Sequence, residues 1–474
     1  MTNSSSVVKR SWTARSALAG AASLALASCA STQIDRNFSD VQQQGRESLG
    51  ADLKWLTTDD ARRQAQVDVD GLLAQPLDGD GAVRIALAYS PALQAMLYDA
   101  AATSASATQS ARLPNPVFAF ERLARNVGGM QELEITRSLS MSLLDLLMLP
   151  ARLRLADHRQ QAAKISLATN VAEAAANARQ AWVNAVAAQQ SAQYAQQVKA
   201  TADASAEIAR RMQAVGNFSK VQRAREQAFA ADAVTQLARA MQSRQSTREA
   251  LVRALGLSGQ QAASLKLPER LPDLPTAPRE ESAVARAAME QRLDVRLARA
   301  NLDFIAREQG LTTVTSFVNA LDVGVKQDSQ TGVPRQRGYD ISVPLPIFDF
   351  GDAARSRAQS TYMAAFHRAA QLTVDAGSQV RENYDAYRTA QDISRHYRDE
   401  IVPLRKTIAE ENVLRYNGML IDVFELLADS REQIGSVIQA IDAQRDFWLA
   451  DAALQATLVG RPMNPMSARR AETP

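Results

Sequence analysis

A single thiol is the first side chain in this sequence placed to do chemistry. Cys29 is the only cysteine among 474 residues. It follows Leu26, Ala27 and Ser28, at the end of an apolar run of small residues that begins at Ala17 and is preceded by Lys9, Arg10 and Arg15. A basic start, a short apolar stretch and a small-residue cleavage site make a secretory signal, too short to remain as a membrane-spanning helix. The residues before Cys29 fit the pattern cut by the lipoprotein signal peptidase. Cleavage there makes Cys29 the acylated N-terminus of the mature chain. The next residue is Ala30, not the aspartate that retains a lipoprotein in the inner membrane, so the pattern points to a lipid anchor in the outer membrane. One cysteine also excludes an internal disulfide.

Other catalytic or metal chemistry finds little support. The three histidines, His158, His367 and His396, lie in helical segments with no cysteine or histidine at ligand spacing. No glycine-rich phosphate loop precedes a helix, so no nucleotide site is expected. The twelve methionines are scattered, and Met130, Met141 and Met148 read as packing or lipid-facing residues. Neither a cofactor, a metal site nor an enzyme activity is expected. The whole chain carries a formal charge of +3. The segment before Cys29 holds three basic and no acidic residues, so the mature chain is balanced and nucleic acid is not its expected partner.

The elements repeat with a period of about 200 residues. After an N-terminal arm (29–81) holding at most a short helix near Thr58–Ala65, a helix is predicted over Ala82–Arg112. Leu113-Pro114-Asn115-Pro116 ends it, because proline cannot continue a helix. Two alternating segments follow, Val117–Arg125 and Glu132–Met141, then a long helix over Leu146–Ala214. Gly216, suited to a left-handed C-cap, breaks that helix, and Ser219 is placed to cap the next one, Lys220–Leu255. Residues 82–266 make this first copy. A linker with Pro268, Pro272, Pro275 and Pro278 occupies 267–280. The second copy, 281–460, has the same order: a helix over Glu281–Gln309, alternating segments at Thr313–Lys326 and Arg337–Leu345, a long helix over Asp352–Tyr416 broken at Gly418, and a last helix over Leu420–Val459. A tail, 461–474, remains. Asp145 aligns with Asp349 and Gly216 with Gly418. Such a duplication decides the architecture.

Each long helix has about 65 residues and so spans roughly 100 Å, more than the diameter of an ordinary globular domain. Alanines such as Ala172, Ala175, Ala176 and Ala178 allow close helix packing. The short segments alternate with period two: Leu133, Ile135, Leu139 and Met141 oppose Glu132, Glu134, Thr136 and Ser138. Tyr339, Ile341, Val343 and Leu345 oppose Asp340 and Ser342. Alternation over about ten residues is the pattern of a transmembrane β-barrel, or of a half-buried soluble sheet. Four strands cannot enclose a water-filled lumen, since even small barrels need about eight. A barrel reading therefore requires several copies, and three give twelve strands.

On these residues the chain resembles the TolC-type outer membrane efflux proteins, over roughly Ala82–Val459. The resemblance rests on the duplicated plan and on Leu113-Pro114-Asn115-Pro116, Val343-Pro344-Leu345-Pro346-Ile347-Phe348-Asp349-Phe350-Gly351, and Tyr416-Asn417-Gly418 followed by Asp422, Glu425, Leu426 and Leu427. It implies a mainly α fold with a small β part, assembled as a homotrimer with a 12-stranded barrel and a long periplasmic helical tunnel. It further implies passive export of small toxic compounds or metal ions, with a periplasmic adaptor (membrane fusion) protein and an inner-membrane RND-type pump as partners. Tyr416–Gln433 is most similar to the metal-efflux branch.

The resemblance also assigns residues. The two helix turns, around Gly216 and Gly418, would form the periplasmic tip and gate. Asn217, Phe218, Ser219, Asn417 and Met419 would meet the adaptor. Acidic rings would constrict the tunnel. Glu425 matches the first ring by its distance from Tyr416; the second falls at or beside Ala428, with Asp429 adjacent and Asp422 nearby. The simpler reading of these acids is stabilisation of a helix N-terminus. Two other functions share the helical plan: a duct for protein secretion and a non-conducting periplasmic scaffold. The alternating strands disfavour the scaffold. Labelled palmitate should enter the native protein and not Cys29→Ser; an unlabelled native protein would refute the lipid anchor.

Overall fold

The computed structural model describes residues 38–39, 42–43, 52–127, 129–316, 320–345 and 347–462. Cys29, the segment before it, Gly128, Pro346 and most of the C-terminal tail lie outside the described residues. Among the described residues no helix is long and apolar enough to cross a membrane.

The chain is mainly helical, with one four-stranded sheet. The elements are α1 (Asp59–Leu73), α2 (Gly79–Tyr89), α3 (Pro91–Ser110), β1 (Val117–Val127), β2 (Met130–Ser142), α4 (Leu143–Leu147), α5 (Leu149–Ala214) and α6 (Lys220–Leu255) in the first half. Then come α7 (Gly259–Ser264), α8 (Glu281–Gln291), α9 (Leu293–Thr315), β3 (Asp322–Gln330), β4 (Gln336–Ser342), α10 (Asp352–His396), a π-helical turn (Tyr397–Ile401), α11 (Val402–Asn417) and α12 (Val423–Leu458). Two compact units share these elements, and each draws on both sequence copies: 98–166 with 295–374, and 41–97 with 167–294 and 375–474.

Several predicted helices differ from the observed ones, each for a local reason. The arm holds a full helix, α1, whose Thr58 side chain accepts the Ala61 N–H. The helix expected over Ala82–Arg112 is two helices, because Pro91 forces Ser90 out of helical geometry, with ψ 124°. The helix expected over Glu281–Gln309 breaks at Arg292, ψ 111°. There a buried guanidinium binds Asp294, the Ala376 carbonyl and Gln379. The helix expected over Asp352–Tyr416 is interrupted by the π turn just before Pro403, which lacks the N–H that would donate to the Asp399 carbonyl. The strand expected from Thr313 starts only at Asp322. Thr313 and Thr315 instead end α9, their hydroxyls donating to the carbonyls of Gln309 and Leu311 at 2.9 and 3.0 Å. The fourth strand stops at Ser342, so Val343 and Leu345 lie beyond it.

In the first unit the strands run antiparallel in the order β1-β2-β3-β4. β2 and β3, far apart in sequence, pair centrally, while among the described residues the outer sides of β1 and β4 are unpaired. The register confirms the alternation: Phe118, Leu139, Val325 and Tyr339 form one row on a common face, and Ser138 and Lys326 form part of a row on the other. Below the sheet, Gly351 has φ +72° and sits so close to Ser316 that a Cβ would come within 2.5 Å of its carbonyl oxygen. Arg355 donates to Ser316 Oγ and the Phe350 carbonyl, closing the turn.

The second unit holds the apolar core. Ile85, Trp182, Val186, Leu251 and Leu255 form its largest cluster, with the Trp182 indole N–H donating to the Leu77 carbonyl at 2.7 Å. Tyr387, Phe447 and Leu454 form a second cluster. Phe447 is fully buried, with ring centroids 5.6 Å from Tyr387 and 5.1 Å from Trp448. Phe447→Ala should cost about 3–5 kcal/mol. Urea unfolding should show this as a lower midpoint with little change in slope; an unchanged midpoint would mean that the cluster collapses around the gap.

Candidate gate at the paired helix turns

The two long helical runs end in caps built on the same hydrogen bonds. After α5, Gly216 N–H donates to the Gln213 carbonyl and Asn217 N–H to the Met212 carbonyl, at 3.1 and 2.9 Å. After α11, Met419 N–H donates to the Tyr416 carbonyl and Leu420 N–H to the Arg415 carbonyl, at 3.0 and 2.8 Å. Both are Schellman caps, in which one residue turns left-handed so that the orphan carbonyls of the last turn are satisfied. Gly216 takes that conformation with φ +84°. In the second cap the left-handed residue is Met419, φ 57°, while Gly418 stays at φ −81°. The expected pairing of Gly216 with Gly418 is therefore corrected: Gly216 corresponds to Met419, an offset of 203.

The next helices start in the same register. Ser219 caps α6 by accepting the Gln222 N–H, and Gln222 Oε1 accepts the Ser219 N–H at 2.8 Å. Asp422 caps α12 by accepting the Glu425 N–H at 2.8 Å. Glu425 thus stands where Gln222 stands in the first copy. Its carboxylate is half-exposed and lies 3.8 Å from Arg415, an exposed pair that contributes little stability. Asp429 sits one turn later, corresponds to Glu226, and accepts from the buried Asn412 amide.

The turns are packed together. Phe218, Val423 and Ala209 are buried in one cluster with Met212, Phe424 and Leu427 around them. Phe218 therefore props the tip from inside, and its ring is not at the surface expected of an adaptor contact. Asn217, Ser219, Asn417 and Gly418 are exposed, and Met419 is 93% exposed. On the α5 side, hydrogen bonds from Arg210 and Arg211 hold the Glu207 carboxyl down to about 2.

One pair at the tip escaped the sequence reading. Glu226 has no exposed surface and its Oε1 meets Arg431 at 2.6 Å, while Oε2 has no hydrogen-bond partner. The Arg431 guanidinium also lies over the Phe229 ring, 5.6 Å from its centroid. The 203 offset could have revealed the position, because it sets Glu226 against Asp429. Among the described residues no cluster of three or more His, Cys, Asp or Glu side chains could hold a metal ion.

The fold of this chain is similar to that of solved outer membrane channels. The Campylobacter jejuni CmeC outer membrane channel superposes with a TM-score of 0.67 at 15% identity, over 83% of this chain and 89% of that one. The Neisseria gonorrhoeae MtrE outer membrane channel, in its open state, gives 0.65 at 18% identity over 81% and 89%. The Vibrio cholerae outer membrane protein VceC gives 0.64 at 16% identity over 85% and 98%. No family model matches the chain, and no curated protein matches its sequence. The fold is the TolC-type channel fold to which the sequence pointed.

The caps differ in one strained residue. A left-handed non-glycine residue costs roughly 1–2 kcal/mol. Met419→Gly should therefore slow amide exchange at the second turn, and Gly216→Ala should speed it at the first. Equal exchange in both variants would show that the cap geometry carries no strain.

Proposed function

We propose that this chain is the outer membrane exit duct of a tripartite efflux system. The observation that carries the reading is the sheet: four strands, one face apolar and the other polar, with both outer edges unpaired among the described residues. In lipid an unpaired edge leaves backbone groups unsatisfied, so the sheet must close with other copies. Three copies give the twelve strands of a barrel with an aqueous interior. The likeness in fold to solved outer membrane channels supports this reading, as does the lipoprotein signal. It makes the chain a passive duct and not an enzyme.

In this reading the helix turns lie at the periplasmic end. Exposed Asn217, Ser219, Asn417 and Met419 meet a periplasmic adaptor protein, with Phe218 bracing the first turn from behind. The adaptor joins the duct to an inner-membrane pump of the RND type. The cargo is a small toxic compound or a metal ion. Glu425 from each copy approaches the three-fold axis, with Asp422 and Asp429 nearby, and the converging carboxylates hold cations and repel anions. Arg415 is the counter-charge that the Glu425 ring shares with its own helix pair.

In planar bilayers the native protein should form channels. The Asp422→Ala, Glu425→Ala double variant should conduct more and prefer cations less. Unchanged conductance and selectivity would confine these acids to capping α12, and absence of channels in the native trimer would overturn the duct.

A further inference from the structure

The sheet separates charge between its two faces. On the polar face are Glu121, Glu132, Glu134, Asp322, Asp328 and Asp340, with Arg125 and Lys326. Both of these cations are neutralised in place, Arg125 by Glu132 at 3.0 Å and Lys326 by Asp328 at 3.4 Å. The apolar face carries no carboxylate among the described residues, yet it carries Arg122, Arg137 and Arg337. All three are exposed.

These arginines are not scattered. From the helical end of the sheet, the first row is Met141, Val323 and Ile341, and the second is Phe118, Leu139, Val325 and Tyr339. The third is Phe120, Arg137, Gln327 and Arg337, and Arg122 follows beside Ile135 in the fourth. Rows on one face are about 7 Å apart. The apolar rows are therefore interrupted by a basic level crossing β1, β2 and β4, beyond which only Ile135, Leu133 and Ala124 continue the apolar face on β1 and β2. At the helical end, the segment after β4 exposes Leu345, Ile347 and Phe348, the last at 98%. The Arg137 guanidinium rests over the Phe120 ring, 5.8 Å from its centroid, so the charge rides on an aromatic at the rim of the band.

An arginine on the lipid face is costly at the bilayer midplane and costs close to nothing at the interface. This row must therefore stand at headgroup level, on the side away from the helices. Guanidinium forks match phosphate oxygens in pairs. We propose that Arg122, Arg137 and Arg337 form a binding surface for the phosphate groups of a glycolipid of the outer leaflet. The inference rests on the duct reading, because it takes the apolar face as lipid-facing. Its consequence is a fixed depth: the phosphate contacts would hold the barrel at one height in the membrane.

The test uses the full-length protein in neutral detergent, with bis-phosphorylated lipid A and its dephosphorylated analogue as probes, and binding read by native mass spectrometry. The native protein should bind the phosphorylated form at least tenfold more tightly. The Arg122→Gln, Arg137→Gln, Arg337→Gln variant should lose that preference while keeping its oligomer and its channels. Arg125→Gln, on the opposite face, should retain it. If the triple variant does not assemble, Arg137→Gln alone should still lose severalfold. Equal binding of both probes, undiminished binding by the variants, or full displacement by millimolar inorganic phosphate would each overturn the lipid site. Channels that persist despite such a result would leave the duct reading standing, whereas a native protein without channels would remove its basis.

Discussion

Backbone hydrogen bonding along a strand has two sides, and among the described residues the outer sides of β1 and β4 have no partner. β1 and β4 each pair once, while β2 and β3 are paired on both edges. In water a short free edge is tolerable; in hydrocarbon it is not, because no solvent replaces the missing partner. The alternation of apolar and polar residues makes sense only if the sheet separates two environments. Under the duct reading, association of copies would follow from unpaired N–H and C=O groups, independently of any side-chain contact between them.

The paired turns show how a duplication holds its geometry while its sequence drifts. Both copies close the helix with the same two hydrogen bonds and restart it with a capped N-terminus. The residues that do so differ. Ser219 and Gln222 form a neutral reciprocal cap, whereas Asp422 and Glu425 put two carboxylates in the same places. An acid near the first turn of a helix meets the positive end of its dipole, so the second copy gains charge there without losing the cap. That leaves Glu425 stabilised by its own helix whether or not a tunnel passes beside it.

Much of the architecture was legible because it depends on strong local chemistry. Leu113-Pro114-Asn115-Pro116 and the four-proline linker cannot be helical, Ser219 is a strong N-cap, and Gly256, next after Leu255, closes the same helix with φ 71°. The α6 limits, Lys220–Leu255, were readable for that reason. The breaks at Arg292 and before Pro403 were not. A buried arginine stops a helix only because Asp294, Ala376 and Gln379 surround it, and those partners come from the tertiary fold. Pro403 could have warned of an interruption, but the helix continues past it by loosening one turn. At the candidate site Gly216 could be named from its place as a helix breaker, and Asp422 and Glu425 through the resemblance. The left-handed turn at Met419 and the pairing of Glu226 with Arg431 could not, because one runs against residue preference and the other joins positions 205 residues apart.

That ion pair makes the two turns a single mechanical body. Glu226 belongs to α6, beyond the first turn, and Arg431 to α12, beyond the second. Drawing one helix start away from the other would strand a fully buried carboxylate without its cation, a separation costing about 3–5 kcal/mol. The Phe218 and Val423 cluster adds apolar area to the same joint. A force applied to either turn is therefore shared by both. The two turns yield as a braced pair, like two fingers bound by one splint, and a load too weak to break the ion pair moves neither finger alone.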